Sequence, residues 1–236
     1  MLSNHSEDEI QFVVGQTGAM NSAGFADVLA ETRELRDHYR APGQLVQAKV
    51  IDHLDDACRD FIARSTFVLV GTSSADGRHD VSPKGGPRGF VKVLDGHRLA
   101  IPDLNGNNLL DSLHNIIETG EAGLLFVVPG LGETLRVNGA AAITTDSSVL
   151  DLFTDDLRRP VTAIGVSVRE AYIHCAKAFR RGGIWQPDTW PEEAERPSPV
   201  KALGAHVGLD DAAVAEIEAN LEQEYEAELA YDRPER

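Results

Sequence analysis

The chain has 236 residues, 42% of them hydrophobic, enough to bury the core of one large domain with appendages. A formal charge of -16 and a pI near 4.8 exclude a protein that coats nucleic acid or an anionic membrane, since either needs a net basic face. Cys58 and Cys175 are its two cysteines, far apart and without a Cys-x-x-Cys pairing, so neither a zinc knuckle nor a disulfide framework is expected and a reducing cytoplasm fits.

MLSNHSEDEIQF carries acidic residues where a signal peptide needs a basic flank and an apolar run. No segment approaches the roughly 20 apolar residues of a membrane span, so neither export nor anchoring is expected. Phe25, Val28, Leu29 and Leu35 recur at helical spacing and predict a packing helix from Phe25 to Tyr39, stopped by Pro42-Gly43, within a helical arm over residues 1–48. A second amphipathic helix is predicted over Val50 to Ala63, with Ile51, Leu54, Cys58, Phe61 and Ile62 on its apolar side and Cys58 in the core.

Thr66 to Thr72 is a β-branched run that predicts a strand, and Ala75-Asp76-Gly77 a hairpin-type turn into His79-Asp80-Val81-Ser82. Further strands are predicted at Val91 to Leu94, Arg98 to Ile101, Gly123 to Val128, Leu135 to Ile143 and Ala163 to Val168. So many short, mostly antiparallel strands with few helices suggest a closed barrel.

Between the strands, Asn107 to Glu118 reads as a helix with Leu109, Leu110, Leu113, Ile116 and Ile117 as its apolar stripe. The start of a helix offers unpaired N–H groups and a partial positive charge, so the Asn-rich lead-in is either a phosphate-holding turn or, with Asn107, a simple cap. Lys84, Arg88, Asn105, Asn107, Asn108 and Arg136 are phosphate-holding residue types set among strands of an acidic chain, and they point to an anionic ligand. Lys84 and Arg88 read equally as solvated residues flanking the Gly85-Gly86 turn.

Toward the end, Tyr172 to Arg181 closes a strand and enters a basic turn before Gly182-Gly183-Ile184-Trp185. Neighbours on a strand point to opposite faces, so His174 and Cys175 are not expected to form a nucleophilic dyad, and Cys175 reads as a buried strand residue. His38, His53, His79, His97, His114 and His206 have no ligand spacing, and no metal is expected. From Trp190, PEEAERPSPVKALGAH reads as a linker, and Asp210 to Ala230 as an acidic helix with Val214, Ile217, Leu221 and Tyr225 on one side, packing on the barrel or a dimer partner.

The blocks VSPKGGPRGFV, IPDLNGNN, GLLFVVPG, ETLRVNG and HCAKAFRR, in that order, resemble the pyridoxamine 5'-phosphate oxidase-like flavoproteins over roughly Leu54 to Trp190. The resemblance implies a mainly β fold with flanking helices, an FMN-binding split β-barrel over 49–190, followed by linker and helix over 191–236. It also implies a homodimer with FMN at the subunit interface.

Carried over residue by residue, the FMN phosphate falls to Ser82 and Lys84 on one strand and to Asp103, Asn105, Asn107 and Asn108 before the helix. Oxidases of the family carry a Ser-Arg-Lys type cluster at this turn, where the present chain has Gly106-Asn107-Asn108-Leu109. Thr134 is implied beside the flavin ring together with Arg136, which reads alternatively as the partner of a carboxylate. Lys177, Arg180, Arg181 and Trp185 are implied to grip phosphate or an anionic substrate. The activity implied is FMN-dependent oxidoreduction of a small organic molecule, with oxygen or NAD(P)H as second partner. The alternatives are an NAD(P)H-dependent flavin reductase, or a non-catalytic flavin or haem binder with His174 as axial ligand.

Overall fold

In a computed structural model, residues 24–234 are described. One compact unit ends at Gln47 and a second begins at Ala48. In the first, the helix expected from Phe25 to Tyr39 reduces to a 3-10 turn at Thr32–Glu34 and a single turn, α1 (Leu35–His38), with α2 (Gln44–Ala48) after it. Phe25, Val28, Leu29 and Leu35 are all exposed, and a short helix whose apolar stripe is left in water gains too little to offset nucleation.

The second unit opens on extended backbone instead of the helix expected from Val50. Ile51 exchanges two backbone hydrogen bonds with Ala171, at 3.0 and 2.7 Å. Helix α3 (Asp56–Arg64) begins only where the Asp55 carboxylate accepts from the Cys58 N–H at 2.8 Å, an N-cap that fixes the helix start. Cys58 is buried as expected, and burial pushes its thiol up to about 11.

Seven antiparallel strands follow: β1 (Phe67–Ser73), β2 (His79–Gly85), β3 (Lys92–Val93), β4 (Arg98–Pro102), β5 (Glu121–Val127), β6 (Thr134–Thr144) and β7 (Ala163–His174). Their order is β2-β1-β5-β6-β7-β4-β3. The expectation of a closed barrel is corrected: the sheet is open, with β2 and β3 as its edges, and the split-barrel arrangement with flanking helices holds. Both edges are poorly suited to closure, since β3 has two residues and β2 carries Pro83, which lacks an N–H to donate. Strand β7 extends six residues beyond Val168 because the long β6 pairs with it as far as Thr134↔His174.

One sheet face carries the core. Val68, Val70, Leu124, Phe126, Leu135 and Val137 lie there, and with Leu54, Cys58 and Ile62 and with Leu113 and Ile116 of α4 (Asp111–Thr119) they form one buried cluster. Of the stripe expected on α4, Leu113 and Ile116 are buried while Leu109, Leu110 and Ile117 are exposed, because the helix starts at Asp111 rather than Asn107. After α5 (Ser147–Leu150) and α6 (Lys177–Arg181), the expected linker contains a helix, α7 (Pro199–Val207). Ser198 caps it and Pro199 occupies its first position, so its proline is a start signal and not a breaker. Helix α8 (Asp211–Tyr231) matches the expected acidic helix, capped by Asp210. Among the described residues no helix is long and apolar enough to cross a membrane.

Where β6 meets β7 the register shifts between Asn138 and Gly139, and a Cβ on Gly139 would stand 2.0 Å from the Ser167 carbonyl oxygen. Gly139→Ala is therefore expected to destabilise the protein by about 3 kcal/mol or more, whereas Gly71→Ala, whose Cβ meets ordinary contact at 3.5 Å, is tolerated far better. Urea denaturation of the two variants checks the difference.

Candidate functional site

Period-two alternation along β2 puts Asp80, Ser82 and Lys84 on the core side of this edge strand, opposite Thr72, Val70 and Val68. There they face the loop that leads into α4. A cavity of about 260 Å³ lies between them, lined by Ser82, Lys84, Asp103, Asn107, Asn108 and Ser112 among others. Five of the twelve expected site residues thus meet in one place.

Within it, the Lys84 ammonium lies 3.0 Å from Asp103 Oδ1, and the two side chains are only 22% and 19% exposed. Pairing lets both charges sit half-buried, and it fixes Lys84 while using one of its three N–H donors. Beside the pair, Ser112 Oγ is 2.7 Å from Asp80 Oδ2 and 2.9 Å from Ser82 Oγ, and Ser82 donates to the same carboxylate oxygen at 3.1 Å. The sequence reading missed Asp80 and Ser112. Asp80 was legible as the third member of the β2 alternation, while Ser112 carries no signal until α4 is docked.

The lead-in to α4 differs from a capped helix start. Asn107 accepts from the Leu109 N–H at 3.1 Å and closes a local turn, but the residue in the cap position is Leu110, which supplies no side-chain bond. Asn108 and Leu110 take left-handed backbone, φ 56° and φ 60°, the first tolerated by Asn and the second strained for Leu. Asn105 lines a neighbouring cavity of about 360 Å³ together with Asn108, Arg158 and Tyr231.

Thr134 and Arg136 are not brought to Lys84 within one chain. The ladders put them on the opposite sheet face, in line with Val127 and Leu125. Thr134 is buried, and Arg136 donates to the Tyr172 hydroxyl at 3.1 Å, with its guanidinium 5.7 Å from that ring. Within one chain Arg136 therefore pairs with a phenol. Lys49 lies 5.1 Å from the same ring and donates to the Ile173 carbonyl at 2.7 Å.

His174 completes this cluster, its ring 5.2 Å from Tyr172. Burial first, then the charges of Arg136 and Lys49, hold its imidazole below the usual histidine value. Its Nε2 is shielded from solvent and has no hydrogen-bond partner. That nitrogen is closed to an axial ligand position unless the cluster moves. Cys175 is exposed, correcting the buried position expected for it, because β7 ends one residue earlier.

Lys177, Arg180 and Arg181 project from α6 as exposed cations and line neither cavity. Trp185 donates to the Leu131 carbonyl at 2.8 Å and packs near Phe179, with ring centroids 5.8 Å apart. Arg88 is exposed in the turn after β2, where Gly86 is obligatory because a Cβ there would meet the buried Phe90 side chain at 2.7 Å. Among the described residues, no group of three or more His, Cys, Asp and Glu is placed to hold a metal ion.

The free donors at the Lys84 cavity are the two remaining N–H bonds of the ammonium, while the Ser82 and Ser112 hydroxyls give their single hydrogens to Asp80 and would have to turn from it to meet an anion. Lys84 is the single cation among the lining residues, paired with Asp103 and accompanied by the Asp80 and Asp111 carboxylates.

Residues 54–175 match the family model described as pyridoxamine 5'-phosphate oxidase. No curated protein matches the chain. Among solved structures, HupZ of Group A Streptococcus is 18% identical, with a TM-score of 0.42 and coverage of 50% of this chain and 92% of that one. A candidate pyridoxamine 5'-phosphate oxidase from Lactobacillus delbrueckii is 20% identical, with a TM-score of 0.41 over 52% and 95% of the two chains. An F420 reductase is 16% identical, with a TM-score of 0.35 over 49% and 94%.

His174 gives the site region a pH signature. A histidine held below its ordinary value binds fewer protons folded than unfolded, so its contribution to stability is intact above the ordinary value and is lost as pH falls through the lowered one. The wild-type urea midpoint is expected to fall between about pH 7 and pH 5 with a component that His174→Asn lacks.

Proposed function

Because the chain belongs to the pyridoxamine 5'-phosphate oxidase family, we propose that it is an FMN-dependent flavoprotein oxidoreductase acting on a small organic molecule. The observation that carries this reading is the cavity at β2, where Lys84 and two hydroxyls converge beside the loop into α4. Lys84 holds the cofactor phosphate, Ser82 and Ser112 join it as their hydroxyls turn from Asp80, and Asn107 and Asn108 close the loop side. When bound, FMN supplies the two-electron acceptor or donor, and the redox chemistry is its own. The chain's residues bind and orient it.

The second sheet face supports a homodimer. Leu69 and Leu125 are only partly buried there, and Val81 is 64% exposed, so apolar surface is left for a second copy. Thr134 and Arg136 lie on that same face. In the proposed dimer one protomer's Lys84 cavity and its partner's second face both border the flavin, which accounts for residues implied in one site standing on two faces of one chain. Lys177, Arg180, Arg181 and Trp185 serve the same composite site from α6 and beyond. Molecular oxygen or NAD(P)H acts as the second redox partner.

The test begins with the absorption spectrum of the purified protein, where flavin bands and release of FMN on heating support the reading, and a protein that neither carries nor binds FMN ends it. At residue level, Lys84→Ala is expected to weaken FMN binding roughly 10- to 100-fold, the worth of a charge-assisted hydrogen bond, with the fold retained. Asp103→Asn, which frees the ammonium, is expected to hold FMN at least as tightly as wild type. Fluorescence titration with FMN distinguishes both; unchanged affinity in Lys84→Ala removes that residue from the phosphate site.

A further inference from the structure

Helix α8 has 21 residues and so spans about 31 Å at 1.5 Å per residue. Little of that length is buried: Val214 alone is fully covered, while Tyr225 and Leu229 are exposed. Its first turns are fixed to α7, where Val214 packs so closely on Gly204 that a Cβ there would meet it at 2.5 Å, and Glu218 accepts from Ser198 at 2.6 Å. A helix held so lightly along its middle is nonetheless held firmly at its far end.

That far end is tied to Arg158 and shares cavity walls with Leu104, Asn105 and Asn108 of the loop into α4. The Arg158 N–H donates to the Asp232 carbonyl at 2.7 Å, and the Arg158 guanidinium lies 4.0 Å from the Tyr231 ring. Burial raises the Asp232 carboxyl above the usual carboxylate range, with the nearby Asn105 N–H partly opposing it. Tyr231 and Asp232 wall the 360 Å³ cavity with Asn105 and Asn108, and Leu229, Asp232 and Arg233 wall another of about 450 Å³ with Gly86 and Leu104.

The loop so contacted is the one whose shape is least explained by its own sequence. It carries two left-handed non-glycine residues, and its helix begins without a capping side chain. Strained backbone persists only where the surroundings impose it. On the cavity side, Asp103, Asn107 and Asn108 of this same loop face Lys84. The last turn of α8 approaches it through Asn105.

We propose that the end of α8 is a brace for this loop, with Asp232 and Tyr231 as positioning residues that keep Asp103, Asn107 and Asn108 turned toward the Lys84 cavity. Asp232 acts on the Asn105 N–H; Tyr231 acts through Arg158, which anchors the helix end beside it. The functional meaning of the brace rests on the proposed flavin site, while the brace itself does not.

The test uses full-length protein and two readouts, amide hydrogen exchange and FMN titration. In the Tyr231→Ala, Asp232→Ala double variant, exchange over residues 103–110 is expected to accelerate at least about tenfold while the β6–β7 ladder stays protected, with FMN binding weakened by about tenfold. Tyr231→Phe keeps the ring under Arg158, Asp232→Asn keeps an acceptor for Asn105, and each is expected to behave as wild type in both readouts. Unchanged exchange over 103–110 overturns the brace. Accelerated exchange with undiminished FMN affinity overturns its positioning role. Accelerated exchange in a protein that binds no FMN in any form leaves the brace standing and ends the flavin reading instead. Should the double variant lose ladder protection, Asp232→Ala alone, which removes one carboxylate near the end of the chain, decides by the same criteria.

Discussion

The ladder between β6 and β7 is the constraint on which the rest depends. In the strand order it is the one junction between the β2-β1-β5 half of the sheet and the β4-β3 half, and it runs from Thr134↔His174 to Thr144↔Ala163. Each backbone bond in it adds only about 1 kcal/mol net, but together they set the register by which every inner residue of the sheet meets the two helices. A one-residue slip would turn Leu135 and Val137 outward and Arg136 into the core. The shift at Gly139 absorbs an extra residue without such a slip, and it needs a residue with no side chain because the Ser167 carbonyl occupies the space.

From that register the electrostatics of the candidate site follow. Lys84 reaches the core side of β2 only because it is in phase with Val68, and in an acidic chain it would be costly to bury alone. Asp103 removes most of that cost and converts a flexible side chain into a fixed point charge. The hydroxyls of Ser82 and Ser112 are similarly fixed by Asp80. Polar groups arranged in advance lose less entropy when a ligand takes them up, which suits this edge strand to a binding role.

Much of this was legible in the sequence, and the failures have physical causes. Strand positions were readable because β-branched runs and turn residues are local signals. Closure was not, since it depends on whether two distant edges can pair, and Pro83 and the two-residue β3 decide that. Lys84, Ser82 and the Asn-rich loop were singled out by residue type and resemblance and share one cavity, and Asp80 lay in the same alternation. Of the two readings of Asn107, the cap fails because capping rules assume the helix starts where the polar residue stands, whereas here left-handed Asn108 and Leu110 delay it to Asp111. The stripe from Phe25 to Leu35 had the right period but is exposed among the described residues, and periodicity alone does not report the partner surface. The length of α8 was plain from its sequence; its destination beside Asn105 was not, because Arg158, Tyr231 and Asp232 lie far from that loop in the chain.

An exposed strand at the margin of a sheet invites a neighbour. Strand β2 presents one row of backbone groups to water, yet Pro83 breaks its line of donors at the middle, and the inward side chains of Asp80 and Lys84 bring charge where an incoming strand would want apolar contact. The inward charges of this strand therefore make it a poor template for runaway β-pairing. In the proposed site the same few side chains serve recognition and protection against aggregation, so a substitution that made β2 more regular and more apolar would give it a sticky margin.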